Sequence, residues 1–179
     1  MISSITNTEV FEKATRIQQK KDVRMKGSYL LTRFLAFYLL FNGLLFKGKE
    51  QYEYIGDLDD LIEVTLVQLN RTLLEELEKL REMTIQCLEM SSQILGKGAF
   101  RREIDESKPI NMNIFETTLY FMTLIIDKEI PHEKISKGLK RVINSKKYLE
   151  CIGNSRDNVI KVNGRFNLMK QLFEEICND

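Results

Sequence analysis

Histidine occurs once in this sequence, proline twice and cysteine three times. Each scarcity excludes something. A catalytic imidazole needs an acid, a nucleophile or a metal to work on, and His132 stands at an expected helix start with none in view, so it reads as a surface residue. Structural zinc needs closely spaced Cys/His pairs, and Cys87, Cys151 and Cys177 are far apart. Their odd number fits reduced thiols in a cytoplasmic protein better than a disulfide framework. Only Pro109 and Pro131 interrupt the chain, which leaves long windows free for helix. No cationic leader precedes an apolar run and a small-residue cleavage site, so a secretion signal is not expected. Neither a convincing strand alternation nor an internal repeat occurs. Gly96-Lys97-Gly98 lacks the rest of a phosphate loop and follows no strand. Asp57, Asp59 and Asp60 lack the spacing and glycine of a calcium loop, and helix capping explains them. No residue is therefore assigned as catalytic or metal-binding, no cofactor is implied, and the residues alone give no reason to read this chain as an enzyme.

What is present is apolar and helical. Of the thirteen residues Tyr29–Phe41, only Thr32 and Arg33 are not apolar. A helix apolar almost all round must be covered on several sides. Arg33 inside it, the Asn42-Gly43 break after it and the lack of a second span argue against a membrane segment. Ile114–Ile126 is a second segment of the same kind. Hydrophobic content of 43% and charged content of 30% are ordinary for a globular chain. The expected fold is all-α: a single-domain bundle (residues 1–179, with 1–98 and 99–179 as a possible subdivision) of seven or eight helices around these two core helices.

The helix boundaries follow from capping chemistry. Asn7 or Thr8 caps the first helix. The charged run Lys20–Lys26 ends it, and Ser28 caps the central helix. Asp57 caps the next. Leu58–Leu95 contains no Gly or Pro, and one helix over it would be about 57 Å long at roughly 1.5 Å per residue. A break at Asn70-Arg71-Thr72, with Thr72 and Glu75 as a capping box, divides it in two. Leu73, Leu77, Leu80, Thr84, Cys87, Ser91 and Ile94 then form a heptad-like stripe. Asn111 or Asn113 caps the second apolar helix, Asn113 with Glu116 at capping-box spacing. Pro131 opens a helix that buries Ile135, Leu139, Val142 and Ile143, and which Gly138 weakens by about 1 kcal/mol relative to Ala. Ser145 caps a short helix and Ser155 the last one, whose stripe Val159, Val162, Phe166, Met169, Phe173 and Ile176 reads as core.

Charge is unevenly spread although the net value is +1. Glu50–Glu82 holds ten acidic and three basic residues, whereas Pro131–Leu149 holds six basic residues and one Glu. Solvated helix faces account for this; the sharper reading makes Lys134, Lys137, Lys140, Arg141, Lys146 and Lys147 a face for duplex DNA. Arg33 and Glu116 are the charges embedded in the apolar helices. A lone buried charge is costly, so each needs a partner, and they can pair with each other. Arg101, Arg102, Asn111 and Arg165 are further candidates for one buried polar network. Its plain role is to fix helix register; its functional role is a site for phosphate or carboxylate.

Several stretches together resemble a known family: Arg24-Met25, Leu31–Tyr38 (Leu-Thr-Arg-Phe-Leu-Ala-Phe-Tyr), Gly98-Ala99-Phe100-Arg101-Arg102, Ile110–Glu116 (Ile-Asn-Met-Asn-Ile-Phe-Glu) and Val162-Asn163-Gly164-Arg165-Phe166. In this order they are similar to the helical C-terminal half of the bacterial GmrSD-type restriction proteins, over about Phe11 to Ile176. Met112 departs from the pattern, in which a basic residue often follows the Asn. The resemblance implies scaffold or sensing positions at Arg33, Phe100, Arg101, Asn111, Phe115, Glu116 and Arg165. In that family the N-terminal half is a ParB/sulfiredoxin-like domain whose Asp-Gly-Gln-Gln-Arg motif carries nucleotide hydrolysis, and an HNH nuclease domain often follows. This sequence contains neither. The resemblance begins almost at Met1, as if the chain opened inside a longer protein. It implies a non-catalytic helical module of a modified-DNA restriction or phage-defence system, partnered by an Asp-Gly-Gln-Gln-Arg domain encoded nearby. The alternative is a stand-alone helical protein that homodimerises through a heptad stripe. No membrane partner is expected.

Overall fold

The computed structural model describes residues 1–18, 22 and 25–178. Lys20, Lys21, Val23 and Arg24 of the charged run, and with Arg24 part of the first resemblance stretch, lie outside them. The fold is all-α. Among the described residues nine α-helices follow one another: α1 (Ile2–Thr6), α2 (Glu9–Thr15), α3 (Lys26–Phe41), α4 (Leu58–Leu69), α5 (Leu74–Leu95), α6 (Met112–Ile125), α7 (His132–Ile143), α8 (Lys146–Cys151) and α9 (Val159–Asn178). The short α1 is an addition to the expected set. Strands β1 (Phe46–Lys47) and β2 (Glu50–Gln51) pair antiparallel, Lys47 opposite Glu50. Two residues per strand are too few for alternation to show in the sequence.

The two apolar helices form the centre. Helix α3 packs on α6, and α6 in turn on α5 and α9. From Leu30 to Phe37 every residue of α3 is buried, as is every residue of α6 from Asn113 to Met122. Phe37, Phe41 and Tyr120 surround Phe166 of α9, with ring centroids 5.1, 4.3 and 5.1 Å from it. Among the described residues no helix is long and apolar enough to cross a membrane. The bundle, not a bilayer, covers α3.

Caps follow the expected chemistry at four helices and depart from it at three. The hydroxyl of Thr8 accepts from the Phe11 amide and that of Ser145 from the Tyr148 amide; Asp57 accepts from Asp59 and Asp60, and Asn111 from Asn113 and Ile114. Ser28 does not cap α3. The Asp22 carboxylate does, accepting from the amides of Lys26 (2.8 Å) and Gly27 (2.7 Å), so the helix begins earlier. A carboxylate at a helix N-terminus also meets the positive end of the dipole. Thr72 bonds back to the Gln68 carbonyl instead of capping α5, and Leu73 occupies the N-cap position. Asn113 and Glu116 form no capping box because both are taken by arginines. For α9 the cap is Asn158, accepting from the Ile160 amide at 2.8 Å, while Ser155 adopts a left-handed conformation in the preceding loop.

Most of the two heptad-like stripes faces inward, although Leu73, at the start of the first, is exposed. Thr84, Cys87 and Ser91 are buried, as are Val162, Phe166, Met169 and Ile176. Gly138 has a packing reason: a Cβ there would come within 2.7 Å of a Leu172 methyl of α9. Gly98 is more tightly constrained. A Cβ at Gly98 would lie 2.0 Å from the backbone oxygen of Ile104. Backbone cannot rotate away as a side chain can. Gly98→Ala is therefore expected to destabilise the fold by about 1–3 kcal/mol. Urea unfolding checks this; an unchanged midpoint would show that the segment can shift without cost.

Candidate functional site: a buried arginine–carboxylate cluster

Arg33 enters the cluster from the middle of α3, Glu116 from the first turns of α6, and Arg165 from α9. Arg33 and Glu116 lie on helices that are apolar almost all round, and Arg165 lies on the buried face of α9 beside Val162, Phe166 and Met169, so packing these faces together brings the three charges into one place. Their side chains are 1%, 0% and 0% exposed. The cost of dehydrating them is met by close pairing. Glu116 Oε2 accepts from Arg33 Nε at 2.9 Å. Its Oε1 accepts from Arg165 Nε at 3.0 Å and Nη2 at 2.6 Å.

One carboxylate cannot neutralise two guanidinium groups. Asp157, in the loop between α8 and α9, supplies the second. Its Oδ1 accepts from Arg33 Nη2 at 3.1 Å and stands 3.7 Å from Arg165 Nη2. Arg33 Nη2 also donates to Asn113 Oδ1 at 3.3 Å. Arg165 Nη1 donates to the Arg156 carbonyl, and the Tyr54 hydroxyl to the Asp157 carbonyl. Below the cluster the Tyr148 hydroxyl lies 2.6 Å from Thr117 Oγ1.

The electrostatics follow from this packing. Burial disfavours the charged form of Arg33, but Glu116 and then Tyr29 and Asp157 outweigh it, so its pKa is raised above the usual arginine value. Burial pushes the Tyr148 phenol up. Burial alone also pushes the Cys87 thiol up to about 12, which leaves it protonated and unreactive. Among the described residues no three His, Cys, Asp or Glu side chains are grouped to hold a metal ion.

The expected network is thus divided. Arg33, Glu116 and Arg165 come together. Asn111 does not join them; it caps α6. Arg101 lies elsewhere, buried near the C-terminal end of α2, and donates to the carbonyls of Thr15 (2.9 Å), Ala99 (2.7 Å) and Lys97 (3.1 Å). Burial first, and Arg16 second, lower its pKa. It ties α2 to the Gly96–Gly98 turn. Arg102 is exposed. Asn113 and Asp157 are members that the sequence reading missed. Asn113 looked like a cap, and nothing distinguishes Asp157 within the polar run Asn154–Asn158.

Comparison with protein-family models, with curated proteins and with solved structures finds no match to this chain.

Of the basic segment, Lys137, Lys140, Lys146 and Lys147 are exposed. The other two have partners: Arg141 Nη2 donates to both Glu175 oxygens at 2.7 Å, and Lys134 Nζ to the Ile176 carbonyl at 3.0 Å. His132 is exposed at the start of α7.

Removing Glu116 leaves two buried cations with one shared carboxylate. Glu116→Gln, close in size to the original, is expected to cost about 3–5 kcal/mol. Replacing all three charges by apolar residues (Arg33→Met, Glu116→Leu, Arg165→Met) should cost less than that single change. Denaturant unfolding of both variants checks this, and a milder single variant would overturn the assignment of Glu116 as the shared counter-ion.

Proposed function

We propose that this chain is a non-catalytic helical module of a GmrSD-like restriction or phage-defence protein, which packs on an enzymatic domain and offers the α7–α8 face to duplex DNA. The observation that carries this reading is the convergence of its motifs. Arg33, Glu116 and Arg165 belong to three separate stretches of the resemblance and meet in one buried cluster. The lack of any grouped catalytic residues fits a module whose chemistry lies in another domain. The free thiols fit a reducing, cytoplasmic setting. The four exposed lysines of α7 and α8 give duplex phosphates a place to bind.

Two measurements test the two parts. Fluorescence anisotropy on duplex DNA should show binding at low salt that weakens steeply as salt rises. The combined Lys137, Lys140, Lys146 and Lys147→Gln variant should lower the log–log salt slope by about 3–4, near 0.9 for each lost phosphate contact. An unchanged slope removes DNA from the reading. For the module itself, the DNA upstream of the Met1 codon should encode an Asp-Gly-Gln-Gln-Arg motif in frame or next door. Its absence would favour a stand-alone protein. With most of both heptad-like stripes in the core, self-association would then have to use the apolar side chains left outside, such as Leu73 at the exposed start of the first stripe and its neighbour Leu74, at 71% and 80% exposure.

A further inference from the structure

The loop that supplies Asp157 also forms one wall of an open groove of about 660 Å³. Asn154, Ser155, Arg156, Asp157 and Asn158 line it, beside the start of the long helix α9. All except Asp157 are exposed. Asp157 is the point where the buried cluster reaches the surface.

Three guanidinium groups surround this one carboxylate. Arg33 is 3.1 Å and Arg165 3.7 Å from Oδ1, and Arg156 Nε is 3.7 Å from Oδ2. Only the first is within hydrogen-bond distance; Arg165 bonds to Glu116 and to the Arg156 carbonyl, and meets Asp157 through charge alone. Glu116 balances one of the three cations. With Asp157 in place one positive charge is in excess; with Asp157 turned away, two are. Two excess cations and the Asn154 and Ser155 side chains of the rim match a tetrahedral dianion better than a carboxylate. The α8–α9 loop is held by single contacts: Tyr54 on the Asp157 carbonyl, Arg165 on the Arg156 carbonyl and Lys161 on the Asn154 carbonyl.

We propose that this groove is a phosphate-binding site, in which the Asp157 carboxylate is an internal occupant that a phosphate monoester or free phosphate displaces onto Arg33, Arg156 and Arg165. The inference does not depend on the reading of the chain as a defence module. It gives the buried cluster an outlet: a bound anion moves Asp157, and with it the segment that leads into α9.

Isothermal titration of the full chain with inorganic phosphate, at ionic strength held constant with sodium chloride, tests this. Asp157→Asn removes the competitor and should bind phosphate at least about tenfold more tightly than the unaltered chain, as expected where a competing state holds the site most of the time. Arg156→Ala, an exposed change that leaves the buried pairs intact, should weaken binding several-fold. Adenosine monophosphate separates the two sources: tighter binding than phosphate assigns the ester, equal binding the free ion. Binding to Asp157→Asn no tighter than to the unaltered chain, or untouched by Arg156→Ala, overturns the proposal. If Asp157→Asn does not fold, the amide resonances of Arg156, Asp157 and Asn158 in the unaltered chain decide. They should shift saturably with phosphate but not with chloride, and their failure to shift overturns it equally.

Discussion

Glu116 holds two arginines from opposite directions, and the arrangement of the core depends on that contact. Helices α3 and α6 are apolar almost all round. Hydrophobic burial is non-directional, so it brings such helices together without specifying how each is rotated or how far it slides. A carboxylate 0% exposed, bonded through one oxygen to α3 and through the other to α9, removes that freedom. A turn of any of the three helices would leave a charge without a partner in a dry interior, which costs more than the packing could return. The aromatic side chains complete the arrangement. Arg165 lies over the Phe37 ring at 5.5 Å, and Phe166, the next residue along α9, fills the space among Phe37, Phe41 and Tyr120. The same residue pair of α9 thus places one cation and one ring, and each constrains the other.

A second constraint acts at the other end of the molecule. Arg101 is buried without a carboxylate and is satisfied by three carbonyls instead. Gly98 allows the chain to fold tightly enough against Ile104 for Arg101 to reach them. Among the described residues the bundle therefore has two buried arginine sites of different kinds. The Arg33–Arg165 site joins helices distant in sequence. The Arg101 site joins a loop to the end of a helix near the N-terminus.

Much of this was legible in the sequence, and the parts that were not have physical reasons. The two core helices could be read because an apolar run without polar periodicity has no other soluble explanation. The Arg33–Glu116 pair could be read because each charge was alone in such a run. Arg165 was legible only as a candidate, since it follows Gly164 in a helix with other charges. Asp157 was not legible at all: an aspartate in a polar loop is chemically indistinct until the fold brings it against two arginines. The cap of α3 was misread for a similar reason. Ser28 is a good cap in isolation, but Asp22, several residues upstream, offers two oxygens to two amides. Capping rules rank residues at a given position; they do not say how far back the chain will reach.

The order in which the cluster is assembled has a consequence for synthesis. Translation delivers Arg33 and Glu116 long before Arg165, and chains begin to fold from the N-terminal side as they emerge. Until α9 is free of the ribosome, Glu116 has one of its oxygens unpaired, and the rings of Phe37, Phe41 and Tyr120 have no Phe166 to enclose. The unfinished core therefore stays open to water and to other apolar surfaces until α9 has emerged. Helix α9 is thus the keystone of the bundle: laid after the other eight, and the one that lets them bear weight.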